Sequence, residues 1–333
     1  MKFKVGVIGA TGAVGVEVVK TLKKRQFPVQ GNPVLFASER SAGKTLETEY
    51  GPIVMQSFDL EKARALDVVF LAVSGDFARE HARAIAAEGG ALVIDNSSAF
   101  RYTDDVPLIV PEINADAAGS NRLIANPNCT TAIAAVALWP LHLKFGLKRV
   151  IVSTYQAASG AGAEGLRELS NQARQALAGE TVENQKFSHQ LAFNVIPHID
   201  SFQENGYTRE EMKVAWETRK ILRLPNVLVS CTAVRVPTLR AHAEAITIET
   251  EKPIDVAAAR DLLANAKGVK LVDDPSTLKY PMPLNASECY DVEVGRIRQS
   301  LVFGDCGLDF FVCGDQLLKG AALNAVQIAE ACI

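Results

Sequence analysis

Short apolar runs, glycine-bearing turns and amphipathic stretches alternate through the first third of the chain. Residues 3–8 alternate and then run apolar, the pattern of a buried parallel strand. Residues 14–22 carry Val18, Val19 and Leu22 at helical spacing, and residues 33–37 are again β-type. Residues 68–73 read as a buried strand, with a helix following from Ser74-Gly75-Asp76 through Ala87. Residues 91–94 and 123–125 add two more strands. Strands alternating with helices at this pace predict α/β architecture, with an N-terminal Rossmann-type doubly wound parallel sheet. After Cys129 the pattern changes. A buried helix is predicted over 132–139, and β-type runs over 149–156, 227–236, 241–249, 292–298, 301–304 and 308–312. Helices are fewer there, at 209–221 and 255–264, and 179–207 is less regular. A mostly antiparallel sheet and an α+β second domain follow. The last helix is expected over 316–331 and is rich in small apolar residues. Two domains suit 333 residues, beyond the length at which one core keeps growing.

Composition narrows the class. Apolar residues make up 48% and charged residues 22%, ordinary for a globular protein, and the net charge of −3 argues against a nucleic-acid binder. Six cysteines, at 129, 231, 289, 306, 313 and 332, show no C-x-x-C spacing and no histidines at ligand spacing. They read as reduced thiols rather than a disulfide frame, and no metal site is expected. The N-terminus enters a strand directly, without a signal peptide's apolar core, and no apolar run is long enough to span a bilayer. The expectation is a cytoplasmic protein without a membrane partner.

Candidate chemistry sits at the turns. Gly9-Ala10-Thr11-Gly12-Ala13-Val14-Gly15 joins a strand to a helix, the context a dinucleotide fingerprint needs. Glycines let the backbone approach a pyrophosphate, which then sits on the helix N-terminus. The spacing is G-x-x-G-x-x-G rather than G-x-G-x-x-G, so a plain tight turn is the competing reading. The second strand ends in Ser38-Glu39-Arg40-Ser41, where the adenosine ribose of a dinucleotide lies. Ser38, Arg40 and Ser41 form a phosphate pocket that favours NADP, against the alternative of solvated loop charges. Arg101, after a strand end, is a candidate anion clamp. In Asn126-Pro127-Asn128-Cys129-Thr130-Thr131, Pro127 turns the chain and Asn128 is a helix cap, which puts Cys129 in the first helical turn. The helix start favours thiolate, and its N–H groups can receive an oxyanion. The competing reading is a buried cysteine acting as a small hydrophobe. Thr208 and Glu211 form a capping box, Lys213 follows Glu210 by one turn, and Arg235 and His242 flank one β-turn, with His242 a candidate general base. His189 and His198 are read as structural.

Taken in order, five motifs resemble the aspartate-semialdehyde dehydrogenases nearly end to end. They are the 9–15 turn, Asn128-Cys129-Thr130-Thr131, Gln156-Ala157-Ala158-Ser159-Gly160-Ala161-Gly162, Glu210-Glu211-Met212-Lys213 and Arg235-Val236-Pro237-Thr238-Leu239-Arg240-Ala241-His242. The resemblance implies Cys129 as nucleophile, His242 as acid/base and Gln156 as the residue orienting the substrate carbonyl. It implies that Arg235 binds the substrate α-carboxylate, Glu210 its amino group, and Arg101 and Lys213, with Asn128 beside them, the phosphate. Gly9, Thr11, Gly12, Ala13, Val14, Ser38, Arg40, Ser41, Ser159, Gly160 and Gln316 fall to NADP. It further implies a nucleotide domain at 1–128 completed by 316–333, a catalytic and dimerisation domain at 129–315, a homodimer or homotetramer, and a place in lysine, threonine, methionine and isoleucine biosynthesis. The segments 288–290 and 308–313 depart from the family pattern.

The implied reaction is NADPH-dependent reductive dephosphorylation of L-aspartyl 4-phosphate through a cysteine thioester. Rivals are weighed on the same residues. Glyceraldehyde-3-phosphate dehydrogenase usually has Ser before and Asn after its Cys-Thr-Thr run, where Asn128 and Ala132 stand here. N-acetyl-glutamyl-phosphate reductase normally has Gly before the cysteine, and Glu210 has no charged amine to pair with in an acetylated substrate. A catalytically silent paralogue acting as a binding protein would have no use for Cys129, Gln156 and His242 together, and a cysteine hydrolase leaves the nucleotide fingerprint unexplained.

Overall fold

The computed structural model describes all 333 residues, and the chain divides into two compact units, Met1–Asn128 with Ala321–Ile333, and Cys129–Gly320. The first unit is built on six parallel strands in the spatial order 56–57, 34–37, 5–8, 68–71, 92–95, 123–125. Val5–Ile8, Val68–Leu71 and Leu92–Asp95 are buried at every position, as strands covered on both faces must be. The chain builds outward from 5–8 to 34–37 and then crosses to 68–71 on the other side. The carboxyl end of Val5–Ile8, where Gly9 begins its turn, is therefore the topological switch point at which such sheets place ligands. A small hairpin, Thr45–Thr48 with Gly51–Val54, lies outside this sheet and was not foreshadowed by the apolar pattern.

The chain's end completes this unit. Ala325, Val326, Ile328 and Ala329 of helix Leu323–Cys332 join one core with Val5, Val18, Leu22 and Ile94. Asn324 Nδ2 donates to Ile109 O at 2.9 Å and to Asn126 Oδ1 at 2.7 Å, and Asn126 Nδ2 donates to Ala321 O at 3.1 Å. The expected single helix from 316 is corrected. Residues Leu318–Ala322 form a wider π-type turn, and regular α-helix runs only over Leu323–Cys332. Asp315 holds the preceding bend by accepting the N–H groups of Leu317 at 2.9 Å and Leu318 at 3.3 Å, and residues 316–320 stay with the second unit.

The second unit carries a six-stranded sheet ordered 228–235, 147–156, 242–250, 307–314, 292–299, 269–271. Its three inner pairs are antiparallel and its two outer pairs parallel, so the sheet is mixed. Helix Cys129–Phe145 is buried over most of its length and packs on the sheet and on helices Arg209–Leu222 and Val256–Ala264. The strand expected over 301–304 is instead the connection of a hairpin. Gln299 pairs with Leu308, which leaves 300–306 to turn, and Leu301 is 99% exposed despite its apolar neighbours. Along Leu147–Gln156 the buried positions Val150, Val152, Thr154 and Gln156 alternate with exposed Ile151 and Tyr155. No helix is long and apolar enough to cross a membrane.

Candidate active site

Sheet register collects the candidate residues of the second unit. Strands 147–156 and 228–235 run parallel and end together, with Gln156 paired to Arg235. Strand 242–250 runs antiparallel beside 147–156, so it begins at that same end, with His242 one residue from the Ala243–Tyr155 pair. Helix Arg209–Leu222 supplies Glu210 from its first turn and Lys213 one turn later. Its start is fixed by Thr208 and Glu211 in a reciprocal capping box, and Glu211 also accepts the Ala233 N–H at 2.9 Å.

Five side chains interlock there, those of Thr154, Gln156, Glu210, Lys213 and Asp200. Gln156 Nε2 donates to Glu210 Oε1 at 3.1 Å, and Gln156 Oε1 accepts from Thr154 Oγ1 at 3.0 Å. Glu210 Oε2 lies 3.0 Å from Lys213 Nζ, and Lys213 also donates to Asp200 Oδ2 at 2.7 Å. Burial works against the Lys213 charge, but Glu210 and Asp200 more than offset it and raise its pKa. Arg235 Nη1 donates to Ala157 O at 2.6 Å, and its guanidinium lies 5.9 Å from the centre of the Phe187 ring. Burial lowers the Arg235 pKa, yet a guanidinium starts so high that it keeps its charge.

His242 is fully buried, and its Nδ1 accepts the Ala157 N–H at 3.1 Å. A backbone N–H can only donate, so the neutral ring carries its proton on Nε2. That atom has no hydrogen-bond partner in the protein. Burial, reinforced by Arg235, pushes the imidazole pKa down to about 3, so the resting ring is neutral. Nε2–H is then a donor awaiting an acceptor, and the ring can take a proton only by releasing Ala157. Gly160 makes room for this: a Cβ there would fall 3.0 Å from Arg235 Nη1 and 3.3 Å from His242 Nε2.

Cys129 opens the buried helix and is itself partly exposed. The backbone of Gly320 passes so close that a Cβ there would lie 2.6 Å from the Cys129 Cβ. Ser159 and Gln316 are joined by a side-chain hydrogen bond, and Gln316 Oε1 accepts the Ala241 N–H at 2.8 Å. Both ends of the Gln316 amide thus tie together the two loops on either side of His242. Ala241 itself sits at φ +66°, a left-handed conformation rare outside glycine.

The first unit holds the remaining candidates. Gly9 takes φ +86°, and a Cβ there would meet Ala72 O at 2.2 Å; a Cβ on Gly15 would meet Gly9 O at 2.2 Å. Helix Ala13–Lys24 starts at Gly12 with no side-chain cap, leaving its first N–H groups for an anion beside exposed Thr11 and Gly12 and half-buried Ala13 and Val14. Ser38 and Arg40 are exposed and Ser41 half-buried on the turn after strand Val34–Ala37, while Glu39 accepts from Ser57 at 3.4 Å. These residues fit a dinucleotide: a tight glycine turn, an uncapped helix start and an arginine at the second strand's end. Arg101 is buried and donates to Asn96 O at 2.8 Å, and Asn128 is buried immediately before Cys129.

Three contributors escaped the sequence pattern. Asp200 lies in the irregular 179–207 stretch, Phe187 in the same stretch, and Glu244 two residues after His242 on the same strand face. Only Glu244 had a signal, since strand period two puts it beside His242. It is fully buried, neither oxygen has a partner, and burial raises its pKa well above 4.5. His198 stacks on Phe202 at 4.7 Å, apart from this cluster.

Residues 4–120 match the family described as semialdehyde dehydrogenase, NAD binding domain, and residues 138–319 the semialdehyde dehydrogenase dimerisation domain. The chain is 47% identical to the aspartate-semialdehyde dehydrogenase of Aquifex aeolicus, over 99% of this chain and 98% of that one. It is 44% identical to the Bacillus subtilis enzyme of that name, over 98% and 96%. Its fold superposes on aspartate semialdehyde dehydrogenase II of Vibrio cholerae, solved in complex with ASA, with a TM-score of 0.94 at 41% identity, covering 99% and 98% of the two chains. The Candida albicans aspartate semialdehyde dehydrogenase with NADP gives 0.76 at 25% identity, covering 99% and 98%.

Proposed function

The chain belongs to the aspartate-semialdehyde dehydrogenase family, and from that premise we propose that it reductively dephosphorylates L-aspartyl 4-phosphate to L-aspartate 4-semialdehyde, using NADP(H). The observation that carries this reading is the convergence of Gln156, Glu210, Lys213, Arg235 and His242 at one end of the second sheet. Two cations and a carboxylate match a substrate that bears a carboxylate, an ammonium and a phosphate. Arg235 presents a planar fork to the α-carboxylate, and Glu210 accepts from the α-ammonium. Lys213 takes the phosphate as a point charge, and Arg101 is the first unit's candidate for the same anion.

Cys129 attacks the acyl carbon; the C–S bond forms as the C–O bond to phosphate breaks, and phosphate leaves with the electron pair. Gly9, Thr11, Gly12, Ala13, Val14, Ser38, Arg40 and Ser41 are assigned to the dinucleotide, whose reduced nicotinamide supplies hydride when bound. His242 Nε2–H steadies the negative oxygen of the tetrahedral carbon until it collapses to aldehyde and frees the Cys129 sulfur. Gln156 holds Glu210 in place, and its amide is the candidate orienter of the carbonyl. Arg40, free of the Glu39–Ser57 contact, favours the 2′-phosphate of NADP. Exposed Ile151 and Tyr155 on the open sheet face, within the segment matching a dimerisation domain, support a homodimer or a tetramer built from such dimers.

The test is absorbance of the reduced nicotinamide with aspartate semialdehyde, phosphate and NADP or NAD. Phosphate-dependent reduction of NADP is expected, and its loss by at least about 10⁴-fold in Cys129→Ala. Activity of that variant near the parent level would remove the thioester route.

A further inference from the structure

Lys213, assigned above to the phosphate, already holds two anions. Glu210 sits 3.0 Å from its ammonium, and Asp200 sits 2.7 Å from it. The two carboxylates differ in how firmly they are held. Glu210 is buried, lies on the same helix and also accepts from Gln156. Asp200 lies on an irregular loop with its side chain 33% exposed, and its Oδ1 accepts the N–H of Ser201 at 2.8 Å. Its backbone takes φ +70°. Both carboxylates hold the Lys213 ammonium within hydrogen-bond distance, so a dianionic phosphate reaches that ammonium fully only if one of them withdraws, even though Arg209 and Arg235 add positive charge nearby. Asp200 is the one with solvent behind it, and beyond Lys213 it is held only by the Ser201 N–H and the charge of Arg209, with no second side-chain hydrogen bond.

Resting on the reading of Lys213 as phosphate ligand, we propose that Asp200 is a built-in competitor for the phosphate site. It pairs with Lys213 when phosphate is absent, swings aside when phosphate binds, and returns to the ammonium as phosphate leaves. The device keeps Lys213 positioned and charged between turnovers. It also weakens phosphate binding, which favours release after the acyl group has passed to Cys129 and disfavours attack by phosphate on the thioester.

Asp200→Asn tests this, because Asn is tolerated at positive φ and keeps the acceptor for Ser201 while losing the charge. In the holoenzyme with NADP, the KM for inorganic phosphate at saturating aldehyde is expected to fall on the order of fivefold, the upper range for a partly exposed ion pair. The KM for the aldehyde should move much less, and calorimetric titration with inorganic phosphate should show the same tightening. An unchanged or higher phosphate KM, with Lys213→Met raising it strongly, would overturn the competitor role alone. A phosphate KM unmoved by Lys213→Met would mean that the phosphate reading itself has failed, and the proposal with it.

Discussion

The glycine turn after the first strand and the catalytic end of the second sheet reach function by opposite means. At the turn, side chains are missing: Gly9 and Gly15 leave space that backbone fills, and the working groups are peptide N–H groups at a helix start. At the sheet end, side chains from five separated segments interlock, and the backbone serves mainly to orient them, as Ala157 does by receiving Arg235 and donating to His242. The first design is intolerant of added atoms, and the second of altered hydrogen-bond geometry. Substitutions should therefore fail differently in the two places.

The largest effect on stability is expected from Gly9→Ala. Positive φ and a 2.2 Å approach to Ala72 O should cost about 3 kcal/mol or more, read as a lower midpoint in denaturant unfolding. A midpoint within experimental error of the parent would show that the turn yields, and the contrast would collapse. Next is Arg235→Lys, which keeps charge but loses the fork. The aldehyde KM should rise by about fiftyfold, or roughly 2 kcal/mol, with little change in unfolding. Unchanged kinetics would remove Arg235 from the carboxylate site.

His242→Asn has the most specific signature, a change in how stability depends on pH. The imidazole titrates near 6.5 when unfolded and near 3 when folded. Between those values the unfolded chain binds a proton that the folded chain refuses, so stability falls as pH drops from about 6.5 toward 3. The variant should lose that part of the acid slope in unfolding measured across this window, and an unaltered slope would mean that His242 is protonated in the folded protein. Glu244 acts with the opposite sign: its raised pKa makes the fold lose stability as pH rises above 4.5, the value from which it is raised.

The same contrast explains what the sequence disclosed. The glycine turn, the Thr208–Glu211 capping box and the Glu210–Lys213 pair lie within a few residues of each other and are visible as spacing. Arg235 and His242 flank one turn and are legible together, but Gln156 joins them through strand register, which no local pattern specifies, so the likeness to a family supplies it. Asp200 meets Lys213 from a stretch without periodicity, and nothing in its neighbours marks it. Leu301 and Val302 misled in the other direction: an apolar pair suggested a strand where the partner strand had already ended, leaving both exposed on a turn.

Asn324, bridging Ile109 and Asn126, has a consequence for how the protein is made. The first unit is discontinuous, and its core includes Ala325, Val326 and Ile328 from the chain's last helix. A ribosome that has delivered the first 128 residues has delivered a sheet with part of its cover missing. The second unit is continuous in sequence, but its sheet needs the inner strand 307–314, so neither unit can close until most of the 333 residues are made. Until the 323–332 helix is made, the core positions Val5, Val18 and Ile94 lack part of their apolar cover.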